Sequence, residues 1–199
     1  MINESSVVGT LDTKISQASP TTNYRTSDLT IKGTATNDKI VVQFSLPTGL
    51  DPASIMSARI SLNPKTITGV VSNPTLQAAL IDGTLDYRYV TWDSSNNGLA
   101  WTNPGGDVYP DTQSATSSIQ HTINERLYVD CTKAIVYAYD LLKTATINTL
   151  IWTTTNNVDI TYYSFETSGN GPVLLITYRE ANTSDRVGLS TSVISVPSI

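Results

Sequence analysis

The residues able to do chemistry are few in this chain. There is one histidine, His121, and one cysteine, Cys131. A single cysteine allows no intrachain disulfide. One of each leaves no usual His-rich metal site, and a Cys–His dyad would require a coincidence of folding. No glycine loop of the phosphate-cradling type and no Gly-x-Ser-x-Gly elbow occurs. Carboxylates sit on turn-like sequence at Asp51, Asp82, Asp93, Asp107 and Asp111. Two of them could form a glycosidase pair, but any β-sandwich would offer as many. The expectation is therefore no enzyme. His121, between Ile119 and Ile123 on one face of a predicted strand over 117–123, reads as structural. Cys131 reads as a small buried residue rather than a reactive thiol. That leaves the aromatics. Trp92, Trp101 and Tyr109 could stack on sugar rings. Against this, Trp92 and Trp101 could anchor a long loop to the end of a sandwich, since a tryptophan buries much area. The anchoring role is the expectation, with Tyr178 as a further core anchor.

The elements that must position these residues read as strands. Ile40, Val42, Phe44 and Leu46 alternate with Val41, Gln43 and Ser45. Met56, Ala58, Ile60 and Leu62 alternate with Ser57, Arg59 and Ser61. Burying one such set is worth roughly 6–10 kcal/mol before entropy is charged. Further strands are predicted at 11–15, 29–31, 65–71 and 85–92, with 75–81 a weaker unit of undecided type. From Leu127 the chain reads as a strand running into a short helix. Asp130 is its predicted N-cap, and Ile135, Ala138, Tyr139 and Leu142 share a face. Three runs follow, parted by Asn156-Asn157 and by Ser168-Gly169-Asn170-Gly171. The last, Val173 to Tyr178, is apolar on both faces and predicts a strand covered on both sides. Two packed sheets with one small helix plugging an end account for all of this.

The chain also resembles a family. A strand entering Asp130-x-Thr132 and a helix, then a strand ending Ser164-x-Glu166, then Pro172-x-Leu174-x-x-x-Tyr178, is similar to the C-terminal half of a DNRLRE domain. Pro20-x-x-Asn23-Tyr24, Phe44-x-Leu46-Pro47, Thr91-Trp92, Trp101 and Gly105-Gly106-Asp107 extend the likeness. Arg25 departs from it, because a glycine often follows that tyrosine. The resemblance implies an all-β fold, a β-sandwich jelly roll with one short α-helix, related to carbohydrate-binding modules. It implies a role in secreted, cell-surface or phage structural proteins and supplies no catalytic residue. Relatives of that kind often carry a structural calcium, which wants six to eight oxygens. Asp12 with Glu166 or Asp159 could offer some, but a solvated or turn-capping role is the expectation, and no cofactor is assigned.

The 199 residues suit one all-β domain. The net charge of −5 argues against nucleic acid as a partner, and no apolar run is long enough to span a membrane. Residues 1–10 read as a polar N-terminal arm, 11–178 as the domain and 179–199 as a C-terminal arm. Val187, Leu189, Val193, Ile194, Val196 and Ile199 are spaced too irregularly for an amphipathic helix and suit an extended arm laid on a neighbour. The N-terminus has neither a basic nor an apolar signal region. Either a signal was removed, or the protein acts without export. The expected function is that of a structural protein on the surface of a viral particle, a capsid decoration or tail or fibre module, contacting other virion proteins or copies of itself. The alternative is a carbohydrate-binding or adhesion module, secreted or on a bacterial surface, that meets a glycan.

Overall fold

Alternation of apolar and polar residues sets the strands, and the loops between them set which strands meet. The computed structural model describes residues 1–25, 28–33, 36–69, 73–117, 120–167 and 169–180. Its strands are β1 (Ile2–Val8), β2 (Leu11–Ser16), β3 (Leu29–Gly33), β4 (Asn37–Ser45), β5 (Ile55–Leu62), β6 (Pro64–Ile67) and β7 (Leu76–Leu80). They continue with β8 (Ser94–Asn96), β9 (Leu99–Ala100), β10 (Ser114–Thr116), β11 (Leu127–Asp130), β12 (Thr146–Thr153), β13 (Val158–Tyr162) and β14 (Val173–Arg179). One helix, α1 (Thr132–Tyr137), runs on into a π-type turn at Ala138–Leu142.

The smaller sheet has the order β1-β14-β5-β11. The larger has the order β10-β7-β12-β4-β3-β13-β6, with β2 also paired to β4. All the named pairings are antiparallel. The two sheets enclose one core, with Ile40, Val42 and Phe44 from β4, Ala58, Ile60 and Leu62 from β5, and Leu174 and Ile176 from β14. Ala134, Ile135 and Ala138 close one end of it. The fold is an all-β sandwich with one short helix.

Several expectations need correction. Residues 1–10 are not an arm: β1 pairs with β14 along its whole length, from Ile2 opposite Arg179 to Val8 opposite Val173. Its inward residue Val7 packs on the core. Polar composition gave no sign of it, because of the inward residues Asn3, Ser5 and Val7 only the valine is apolar and the strand is held by its ladder to β14. Residues 85–92 hold a turn and irregular backbone rather than a strand, and the described residues of 117–123, namely 117 and 120–123, lie in no strand, β10 ending just before them. The weak segment 75–81 holds a strand, β7, buried at every position, because the larger sheet is covered on both faces. Val41 is buried for the same reason. β14 is internal to its sheet but buried on one face only, through Leu174 and Ile176. Met56 is 44% exposed, because the pairing of β5 with β14 slips there, Tyr178 facing Ile55 and leaving Met56 out of register, while Ile55 packs on the core. Leu142, the last residue of its turn, is exposed.

The N-cap of α1 is Cys131, without a side-chain cap bond. Asp130 ends β11, and its carboxylate accepts a bond from the Thr132 hydroxyl at 2.7 Å. That hydroxyl oxygen in turn accepts the Ala58 N–H of β5 at 2.9 Å. The Asp-x-Thr pattern therefore ties the start of the helix to the smaller sheet. Cys131 is fully buried, and burial pushes its thiol up, away from thiolate chemistry.

Candidate functional site

Of the residues singled out by type, the two tryptophans come together on the outer face of the larger sheet. The connection between β7 and β10, residues 81–113, folds across that face. Its apolar residues Ile81, Tyr87, Val90, Trp92 and Trp101 pack on Ile15, Val41 and Leu150 of the sheet. A loop offers no ladder to satisfy its backbone, so other groups must do so. Asn23 donates its amide hydrogens to the carbonyls of Tyr87 at 2.9 Å and Val90 at 2.7 Å. The Trp101 ring nitrogen donates to the Thr91 carbonyl at 3.0 Å. Asp107 accepts the N–H groups of Thr102 at 2.6 Å and Asn103 at 2.8 Å. Gly105 has φ +90°, and a Cβ there would lie 2.7 Å from the Trp92 ring. This glycine is what lets the loop close over the indole, with the Gly105 N–H donating to the Trp92 carbonyl at 2.7 Å.

Trp92 and Trp101 are 8% and 6% exposed. Their faces lie against protein, so neither ring is open to a sugar. The motif residues of the resemblance, Asn23, Thr91-Trp92, Trp101 and Gly105 to Asp107, are therefore one bonded unit despite their separation in sequence. Lys39 completes it. Its ammonium donates to the Gly105 carbonyl at 2.8 Å and lies 5.1 Å from the Trp92 ring and 5.8 Å from that of Trp152. Burial holds its pKa below the usual lysine range, yet the carbonyl and both rings favour the cation. Lys39 and Trp152 were not singled out from sequence. The only signal was their placement on strands whose outward face is apolar.

Tyr109 is half-buried and its ring lies 5.1 Å from that of Tyr137. Burial, and then the Asp82 carboxylate, raise its pKa. It borders a cleft of about 310 Å³ with Asp82, Leu142 and Asn148, apart from the tryptophans. Tyr178 is half-buried and packs on the core between the sheets. His121 is buried, with its Nε2 2.8 Å from the Tyr162 hydroxyl. Ile119 and the residues assigned to the C-terminal arm, Val187, Leu189, Val193, Ile194, Val196 and Ile199, lie outside the described residues.

Asp12 is buried on β2. One of its oxygens accepts the Phe165 N–H at 2.7 Å, while the other, Oδ1, has no hydrogen-bond partner. Its carboxyl is pushed up to about 7, first by burial, with the Phe165 bond opposing and the charge of Glu166 adding. Glu166 is exposed, and Asp159 pairs instead with Lys32 at 3.4 Å. One orphan oxygen falls far short of the six to eight that calcium takes. Among the described residues no three His, Cys, Asp or Glu side chains gather to hold a metal, so these residues do not fit the ion.

Neither a family model nor a curated protein sequence matches this chain. The likeness to DNRLRE domains rests on the quoted residues alone.

Proposed function

We propose that this chain is a non-enzymatic structural module of a viral particle, a capsid decoration or part of a tail or fibre, acting through protein–protein contacts. The observation that carries the reading is the open side of the smaller sheet. Its outward face holds Glu4, Ser6, Leu175, Arg59 and Tyr128, and its edge strand β1 has no neighbour beyond it among the described residues. The larger sheet, by contrast, has its outer face covered by residues 81–113 over β2, β4 and β12. Asp12, His121 and Cys131 are buried and Lys39 is half-buried, each in structural contacts, and among the described residues no described cleft joins them. The DNRLRE-like motif residues support the same class of role, since such domains occur in phage structural proteins.

Co-sedimentation tests the reading. Particles banded on a density gradient should carry this chain in fixed proportion to the main capsid or tail protein. A chain found only in the soluble fraction overturns it.

One observation favours a carbohydrate-binding or adhesion module as a second reading. Trp152 is half-buried and borders a groove of about 340 Å³ with Lys32, Asn37, Lys39 and Asn156, a mixture of ring and hydrogen-bonding groups that suits a sugar. Glycan-array binding abolished by Trp152→Ala, with folding intact, would select it.

A further inference from the structure

The edges of the two sheets are not alike. β11 has four residues, and the N–H of its Asp130 is taken by the Thr116 hydroxyl at 2.8 Å. β10 has three residues. β6 has four, begins at Pro64, and its pairing with β13 carries a register shift. Short strands, proline and irregular register are how edges avoid pairing with other chains. β1 has none of them: its seven residues, Ile-Asn-Glu-Ser-Ser-Val-Val, hold one unbroken register and contain no proline.

The direction of its free backbone groups follows from the bonds at its ends. The Glu180 N–H donates to the Met1 carbonyl at 3.1 Å, and the Gly9 N–H to the Pro172 carbonyl at 3.0 Å. In an antiparallel pair, alternate residues turn both backbone groups to the same neighbour. The odd-numbered residues of β1 therefore bond β14. Ile2, Glu4, Ser6 and Val8 present their N–H and C=O groups to the other edge, where β1 has no strand neighbour among the described residues. Their side chains share the outward face, where Ile2 is 62% and Val8 61% exposed.

We propose that β1 is a self-recognition edge. Two copies of this chain pair their Ile2–Val8 strands antiparallel about a two-fold axis at Ser5, joining two four-stranded sheets into one. This rests on the assembly reading and names its partner as a second copy. The register is selected by the sequence. Centred at Ser5, it pairs the whole strand, sets Ile2 against Val8 at each end, and sets Glu4 against the Ser6 of the other copy. A shift that centres the axis on Glu4 would oppose two like charges, which is unfavourable. A shift that centres it on Ser6 would leave Ile2 and Asn3 unpaired.

Sedimentation equilibrium and amide exchange over a dilution series test the pairing. A monomer–dimer equilibrium is expected, with the Glu4 and Ser6 amides protected only where the dimer forms. Ser6→Glu sets a glutamate against Glu4 twice and should weaken dimerisation roughly tenfold or more, with the monomer's thermal unfolding unchanged. Adding Glu4→Lys to that variant sets lysine against glutamate and should restore it. A wild type that is monomeric at all concentrations overturns the proposal, as does a dimer indifferent to Ser6→Glu. Monomer with permanently protected Glu4 and Ser6 amides also overturns it, since the chain's own residues 181–199 would then cover the edge. A monomer that nevertheless bands with particles sinks the self-pairing and leaves the assembly reading standing. A dimer that responds as expected but never bands with particles does the reverse.

Discussion

On its inner face the larger sheet meets another sheet; on its outer face it meets a loop. The inner contact is assembled from alternating residues of many strands, each contributing two or three side chains. No one of them carries the interface. The outer contact is made by residues 81–113, which have almost no ladder of their own and lean on a few large rings and side-chain bonds to backbone. Many small repeated contacts give a cooperative core. A few large ones give a cover that can come away while the rest stays folded.

Removing one buried ring from each side draws the contrast out, with the largest effect expected inside. Phe44 is fully buried, and Phe44→Ala should cost about 3–5 kcal/mol. All probes of unfolding should shift together. Trp101→Ala should cost about 3 kcal/mol, but part of it as local opening. Amides of 85–107 should then exchange faster than those of β4 and β12. Equal exchange in both regions would mean that cover and core are one cooperative unit.

Asp12 tests whether the sheet carries a hidden electrostatic cost. Its folded pKa, about 7, lies above its ordinary value of 3.8. Between those values the folded chain holds the proton and the unfolded chain releases it. Stability is therefore undiminished below about pH 4, falls as pH rises toward 7, and levels off above. The fall is on the order of a few kcal/mol. Asp12→Asn should flatten that dependence in urea titrations at pH 5 and pH 7.5. Parallel curves for the two proteins would show that Asp12 is ionised at no cost.

Gly105 sharpens the comparison on the cover's side. An alanine there must adopt φ +90° and push its Cβ into the Trp92 ring. Gly105→Ala should destabilise by about 1–3 kcal/mol and change Trp92 fluorescence. An unchanged spectrum and stability would mean that the loop closes without this approach.

The two faces also differ in how far the sequence discloses them. The core was legible wherever one face is buried: Ile40, Val42 and Phe44 on β4 and Ala58, Ile60 and Leu62 on β5 alternate as a half-buried strand must. Periodicity failed where burial departs from one face. β7 is covered on both sides and shows no alternation, while residues 85–92 are rich in apolar and aromatic residues because they cap a sheet, not because they form a strand. β1 was missed for the opposite reason, since an edge strand with one inward valine has almost no pattern. The tryptophans were legible as large groups that must be buried somewhere. Their partners were not: Lys39 and Trp152 are remote in sequence, and nothing local marks Asn23 as the donor to the Tyr87 and Val90 carbonyls.

The smallest expected effect concerns Asp107, and it reverses the pH dependence of Asp12. Burial works against its charge, but the Thr102 and Asn103 amides outweigh burial and hold its carboxyl below the usual range. A carboxylate with a lowered folded pKa adds stability above its unfolded pKa. That contribution is lost as pH falls through the folded value. The turn is partly exposed, so solvent screens the effect, and Asp107→Ala should cost only about 1 kcal/mol. Acid should therefore loosen the cover while it relieves the sheet beneath. Between pH 5 and pH 3, amides of 101–107 should lose protection faster than those of β2. Protection of 101–107 that persists in acid, or that the alanine variant leaves intact, would show that the tryptophans alone hold the loop down.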